Sequence, residues 1–158
     1  MEEKPEKIYQ VKIIVDANIV FSGILNTEGK IADVLIHSGS VFKFIAPDFL
    51  KSEIRKHYLR LCEIAEMTLR EVKASEKEIC KSISFYPATE IKLSVWKNAE
   101  KLIADIDAND VHYIAFAKHL QCKLWSGDKQ LIKGLKQKGF HDFISADELL
   151  KIRARLIS

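Results

Sequence analysis

Cysteine is scarce in this sequence: three among 158 residues, an odd number with no short spacing between any two. That excludes a disulfide framework and a cysteine-built zinc knuckle, and leaves Cys62, Cys80 and Cys122 as small buried hydrophobes. Long apolar runs are missing too. The greasiest stretch, Val11 to Leu25, is broken by Lys12 and Asp16 and falls short of the ~18 apolar residues a membrane helix needs. No membrane partner is expected. The opening residues, MEEKPEK, lack the apolar segment and small-residue cleavage site of an export signal, so a cytoplasmic location is expected. Neither charge dominates: 25 Lys+Arg against 22 Asp+Glu give +3, compatible with a polyanionic partner without demanding one. The five histidines are scattered. Glu53 with His57, one helical turn apart, is a poor two-ligand metal site.

What is present suffices for a core. With 47% hydrophobic residues, the chain can bury about 70% of its unfolded surface as one domain, expected over 1–158 with a flexible terminus at 1–8. Val11 to Val15 is short, β-branched and bounded by Asp16, a buried strand. Ile31 to His37 reads as a helix opened after Gly29 and closed at Gly39, and Val41 to Ala46 as a second strand. Pro47 fits the first turn of a helix whose apolar positions, Leu50, Ile54, Tyr58, Leu61 and Ala65, step by three and four. Met67 to Val72 continues helically, Ser75 to Glu78 resembles a capping box opening another helix, and Ile83 to Tyr86 is a weak third strand. Thr89 starts a helix with Leu93, Trp96, Leu102 and Ile103 inward. Val111 to Leu120 is apolar nearly all round and should be buried between other elements. Lys123 to Ser126 is a fourth strand, a helix then ends near Gly139, Asp142 to Ile144 is a fifth strand, and Ala146 to Leu156 a terminal helix. Strands separated by helices predict an α/β fold: a central, mainly parallel sheet between helical layers, α/β/α.

In such a sheet ligands sit beyond the carboxyl ends of the strands, and acids gather there. Asp16 follows the first strand, with Asn18 two residues on. Asp128 follows the fourth strand through Ser126 and Gly127. Glu53 falls at the border of the buried stripe of its helix, and Asp107 and Asp110, three apart, share a face at the start of the buried helix. Each acid alone could be a helix cap or a solvated charge. Together they are expensive, since each pair ~4 Å apart repels by about 4 kcal/mol at an effective dielectric near 20. A divalent cation would compensate, and oxygen ligands without Cys or paired His suit Mg²⁺ or Mn²⁺. Two such ions can clamp a phosphodiester, one activating water and the other stabilising the leaving oxygen. Lys51, Arg55, Lys56 and Arg60 near Glu53, and Lys129, Lys133, Lys136 and Lys138 near Asp128, are placed for phosphate contacts.

These residues, in this order, resemble a PIN-domain ribonuclease, the fold of many prokaryotic toxin ribonucleases and several RNA-processing nucleases. The resemblance rests on Val15-Asp16-Ala17-Asn18, on Glu53 in the helix after Pro47, on Asp110 through Ala115 and Ala117, and on Leu124-Trp125-Ser126-Gly127-Asp128. It implies a three-layer PIN-like fold in which Asp16, Glu53, Asp110 and Asp128 bind one or two Mg²⁺ or Mn²⁺ ions and carry the catalysis. Asn18 and Ser126 would orient the cluster, and Asp107 would cap the helix or reach the metal through water. It further implies an RNA substrate bound by Lys51, Arg55, Lys56, Lys129 and Lys133, an antitoxin protein as partner if the chain is a toxin, and a homodimer, common in the family. Residues 66–86 correspond to a variable helical region. The sequence departs from the family pattern in small ways: Ala17 replaces a small hydroxylated residue, Ser126 replaces the commoner threonine, and Asp107 competes with Asp110 for one ligand role.

Two other functions compete. A PIN fold with vestigial acids would be an RNA- or protein-binding module, and the complete acidic set argues against it. A phosphatase using Asp16 as nucleophile would want an acid two residues later, where Asn18 is a poor substitute.

Overall fold

The computed structural model describes residues 10–157; the terminus expected to be flexible at 1–8 lies outside the described residues. Strand β1 (Val11–Val15) shows how the layers arise. Its side chains alternate across the sheet, so Ile13 and Val15 enter a core on one face and Ile14 a core on the other. The first core is closed by α1 (Ala17–Leu25), α2 (Lys30–His37), α3 (Phe49–Lys56), α4 (Tyr58–Ala65), α5 (Leu69–Cys80) and α9 (Ala146–Ile157). The second is closed by α6 (Leu93–Ile103), α7 (Val111–Leu120) and α8 (Lys129–Gln137). Between them runs a five-stranded, all-parallel sheet in the order β3-β2-β1-β4-β5, with β2 at Phe42–Pro47, β3 at Ile83–Tyr86, β4 at Lys123–Trp125 and β5 at Phe143–Ile144. The expected mainly parallel three-layer α/β/α fold is found.

The strand order decides where a ligand can bind. From β1 the chain winds outward through β2 and β3, then returns to the other side of β1 as β4 and β5. The reversal falls between β1 and β4, which pair through Ile14 with Leu124 and Val15 with Trp125. At such a switch point the two connections leave in opposite directions and open a crevice at the carboxyl ends of the strands. Asp16 directly follows β1 there, and Ser126 directly follows β4.

Local details depart from the sequence reading. Pro47 closes β2 rather than opening a helix; as the last strand residue it needs no ladder donor. The amphipathic stretch after it is two helices, since His57 breaks the α-helical bonding and its N–H goes to Ile54 and Arg55 carbonyls. The capping box belongs to Thr68 and Glu71 at the head of α5, and Ser75 lies inside that helix. Residues 88–90 form a short 3₁₀ turn, so α6 begins at Leu93, which is 69% exposed instead of inward. Helix α2 ends on Ser38, before Gly39. The glycine that does need its freedom is Gly139, with φ of +91° just past α8. Across the first core, Arg153 of α9 makes paired bonds to Asp33 of α2 at 3.3 and 3.0 Å and a third to the fully buried Ser38 hydroxyl at 3.1 Å, tying the last helix down. Among the described residues no helix is long and apolar enough to cross a membrane.

Candidate active site

Asp16 sits at the switch point, 3% exposed. Its Oδ1 caps α1 by accepting the Ile19 N–H at 3.1 Å. The Ser126 hydroxyl and the Ile19 and Asn18 amides favour its charged form, but burial outweighs them and the Asp128 charge adds repulsion, so the carboxyl is pushed up to about 6. Asp128 caps α8 in the same way, Oδ1 accepting from Leu131 N–H at 3.1 Å, while its own N–H donates to Ser126 Oγ at 3.1 Å. Ser126 is buried and its hydroxyl serves both acids.

Asp110 precedes α7 and makes no capping bond with its side chain. Burial comes first among the effects that push it up to about 7, followed by Asp107, Asp16, Asp128 and Glu53, each repelling its charge. Every acid singled out in the sequence therefore acts on this one group. Glu53 is partly covered, its side chain 22% exposed, and pairs with Lys56 at 3.3 Å. Asp107 is exposed and caps the 3₁₀ turn before α7 by accepting from the Asn109 N–H at 2.9 Å; its charge still reaches Asp110.

The outer residues are more dispersed. The exposed Asn18 lines a groove of about 270 Å³ with Phe21, Leu25, His57, Arg60, Leu61 and Ile64. Lys51 lies over the Phe85 ring at 4.6 Å, and Arg55 is exposed on the same helix. Lys129, Lys133 and Lys136 line an open groove along α8. Lys138 is committed elsewhere, paired with Asp105 at 3.0 Å and bonded to the Leu102 carbonyl at 2.8 Å.

Two residues at the head of α7 escape the sequence reading. His112 stacks on Phe49 with centroids 4.1 Å apart and meets the edge of Trp96 at 5.1 Å. Burial holds its imidazole below the usual range, against the pull of Glu53. Tyr113 is 2% exposed, with a hydroxyl that finds no partner. The available signal was a tyrosine on the inner face of a helix apolar nearly all round, where a hydroxyl needs a reason.

The donor set is all carboxylate oxygen with a neighbouring hydroxyl, the chemistry of a hard divalent cation. Burial and mutual repulsion of Asp16 and Asp110 supply a charge deficit that such an ion would fill. The side chains are neighbours in charge rather than in coordination distance: among the described residues no three of His, Cys, Asp or Glu stand close enough together to hold an ion as they are.

A family model described as PIN domain matches residues 14–151, most of the chain and every acid above. The chain belongs to the PIN domain family. PIN domains are typically nucleases and generally use divalent metals, and this chain has a nuclease-type fold. No curated protein matches the sequence. Among solved structures, PAE2754 from Pyrobaculum aerophilum superposes with a TM-score of 0.64 at 12% identity, over 91% of this chain and 90% of that one. That likeness is one of fold.

Proposed function

We propose that this PIN domain is a Mg²⁺- or Mn²⁺-dependent ribonuclease. The observation that supports it most is the charge focus on Asp110, where Asp16, Glu53, Asp107 and Asp128 all oppose ionisation. A purely structural site would gain nothing from assembling such repulsion at the crevice of the sheet. Asp16, Glu53, Asp110 and Asp128 would hold one or two ions, with Ser126 fixing Asp16 and Asp128, and Asn18 and Asp107 at the rim. The metal, when bound, would supply an activated water and neutralise charge at the leaving oxygen.

The chain's own groups then do the rest. Asp16 and Asp128 are held by their caps, so their free oxygens keep a fixed direction without cost at the moment of reaction. Lys129 and Lys133 on one side, and Lys51, Arg55 and Lys56 on the other, offer cations to the RNA backbone, which a site so acidic would otherwise repel. No side-chain nucleophile is required. If the enzyme acts as a toxin in the cytoplasm, a partner antitoxin must cover this crevice, and a homodimer must leave it open.

Asp16→Asn is the direct test. Asparagine caps helices as well as aspartate, so the variant should fold while Mn²⁺-dependent RNA cleavage disappears. Cleavage at the wild-type rate would refute the assignment, and metal-independent RNA binding without cleavage by the wild type would favour a binding module.

A further inference from the structure

Tyr113 carries a hydroxyl that the fold does not use. The residue is 2% exposed, and its buried Oη makes no hydrogen bond of ordinary length and angle, the backbone of Ala17 giving it only a weak contact. A phenylalanine would fill the same volume without burying an unpaired polar group, which is costly in a protein interior. The hydroxyl is therefore a burden to the fold as it stands.

Its surroundings say what it faces. Tyr113 lies three residues after Asp110, on the same side of the α7 terminus. The charges that bear on its phenol are, in order, Asp16 from the end of β1, Asp110, and Glu53 from α3. The charges of three acids from the end of β1, the head of α7 and α3 thus bear on one buried, neutral hydroxyl. Ionised carboxylates only accept hydrogen bonds, whereas a phenol donates one and accepts others. Ser126 serves Asp16 and Asp128, and the exposed Lys56 donates to one oxygen of Glu53. Tyr113 is a buried donor among the described residues that is left without an acceptor.

We propose that Tyr113 Oη is a positioning residue of the cation site, donating its hydrogen bond to the Asp16, Asp110 and Glu53 group when those carboxylates draw together on a divalent ion. The assignment rests on the metal-dependent reading above. Groups that orient ligands in this way typically change metal affinity 10- to 100-fold when removed.

The experiment compares wild type and Tyr113→Phe in two measurements: thermal melts in EDTA, and titration with Mn²⁺ followed by the loss of the free-ion EPR signal. The variant should melt no lower than wild type in EDTA, because no bond is lost, and should bind Mn²⁺ about tenfold or more weakly. Equal Mn²⁺ affinity overturns the proposal, as does a clear drop in the EDTA melt, which would make the hydroxyl a structural group. Failure of the parent reading shows separately, as a wild type that takes up no Mn²⁺ at all, and that outcome overturns both.

Discussion

Replacing Asp110 by asparagine removes one charge from the most crowded point among the acids and leaves the backbone alone. An aspartate ionises near 3.9 in an unfolded chain and at about 7 in this fold, so the folded state binds the proton more tightly. Below pH ~3.9 the group is protonated in both states and has no effect. As pH rises from there through 7 the fold progressively loses stability, and above 7 it carries the whole cost of the charge. About three pH units correspond to roughly 4 kcal/mol, which screening reduces to ~2 kcal/mol because the side chain reaches solvent. The favourable field of the α7 terminus opposes this by about 0.3–1 kcal/mol, and no capping bond is lost because Asp110 makes none. In EDTA at pH 8 the variant should therefore melt above wild type by about 2 to 8 °C for a domain of this size, and the gap should vanish near pH 4. Excess Mn²⁺ should then raise the wild type and largely fail to raise the variant, with a gain of about 2.7 kcal/mol at a hundred times the dissociation constant. A variant that melts below wild type in EDTA, or a gap that does not change with pH, would refute the reasoning.

Two further perturbations separate other parts of the molecule. Arg153→Met should leave the buried Ser38 hydroxyl and Asp33 without their partner and cost about 1–3 kcal/mol in urea melts; because Arg153 holds Asp33 below its usual range, the wild-type advantage should be full at neutral pH and fade as pH falls through the carboxylate range. Lys129→Gln with Lys133→Gln should weaken RNA binding by the D16N protein with no change in melting, and should flatten the salt dependence by about 0.7 per charge removed for a single strand; an unchanged slope would take the α8 groove out of the RNA path.

The sequence carried the architecture because the architecture is written in period and punctuation. Ile13, Ile14 and Val15 announce a strand buried on both faces, and the all-round apolar α7 announces a helix sandwiched against it. Helix α1 was not legible for the same reason: AsnIleValPheSerGlyIleLeu is apolar through most of its length and simply prolongs the run begun by β1. The break at His57 was hidden because apolar spacing continues unchanged from α3 into α4. Asp16 and Asp128 stand out by their places after strands, and Glu53 and Asp110 by their helix positions, but the electrical coupling of the acids depends on the strand order, which brings β4 beside β1 rather than beside β3. Spacing along the chain does not encode that adjacency, and it does not reveal that the Tyr113 hydroxyl is buried without a hydrogen-bond partner.

The cap and the ligand, set against each other by the sequence, turn out to be compatible roles for one carboxylate. Asp16 and Asp128 each accept on Oδ1 the N–H of the residue three positions on, and an aspartate has a second oxygen. Capping fixes the direction of that second oxygen, so the helix terminus aims the acid that a cation would need. Capping alone, however, asks for no negative charge, since asparagine serves as well, and it asks for no convergence of two caps on one serine. Asp128→Asn therefore isolates the charge from the cap. With the α8 cap retained, the EDTA melt of the variant should stay within about 1 kcal/mol of wild type, on the scale of a single cap, while Mn²⁺ stabilisation and RNA cleavage are lost together. If stability falls by several times that amount while Mn²⁺ still protects the folded fraction, Asp128 belongs to the helix and the cation site must be rebuilt from Asp16, Glu53 and Asp110.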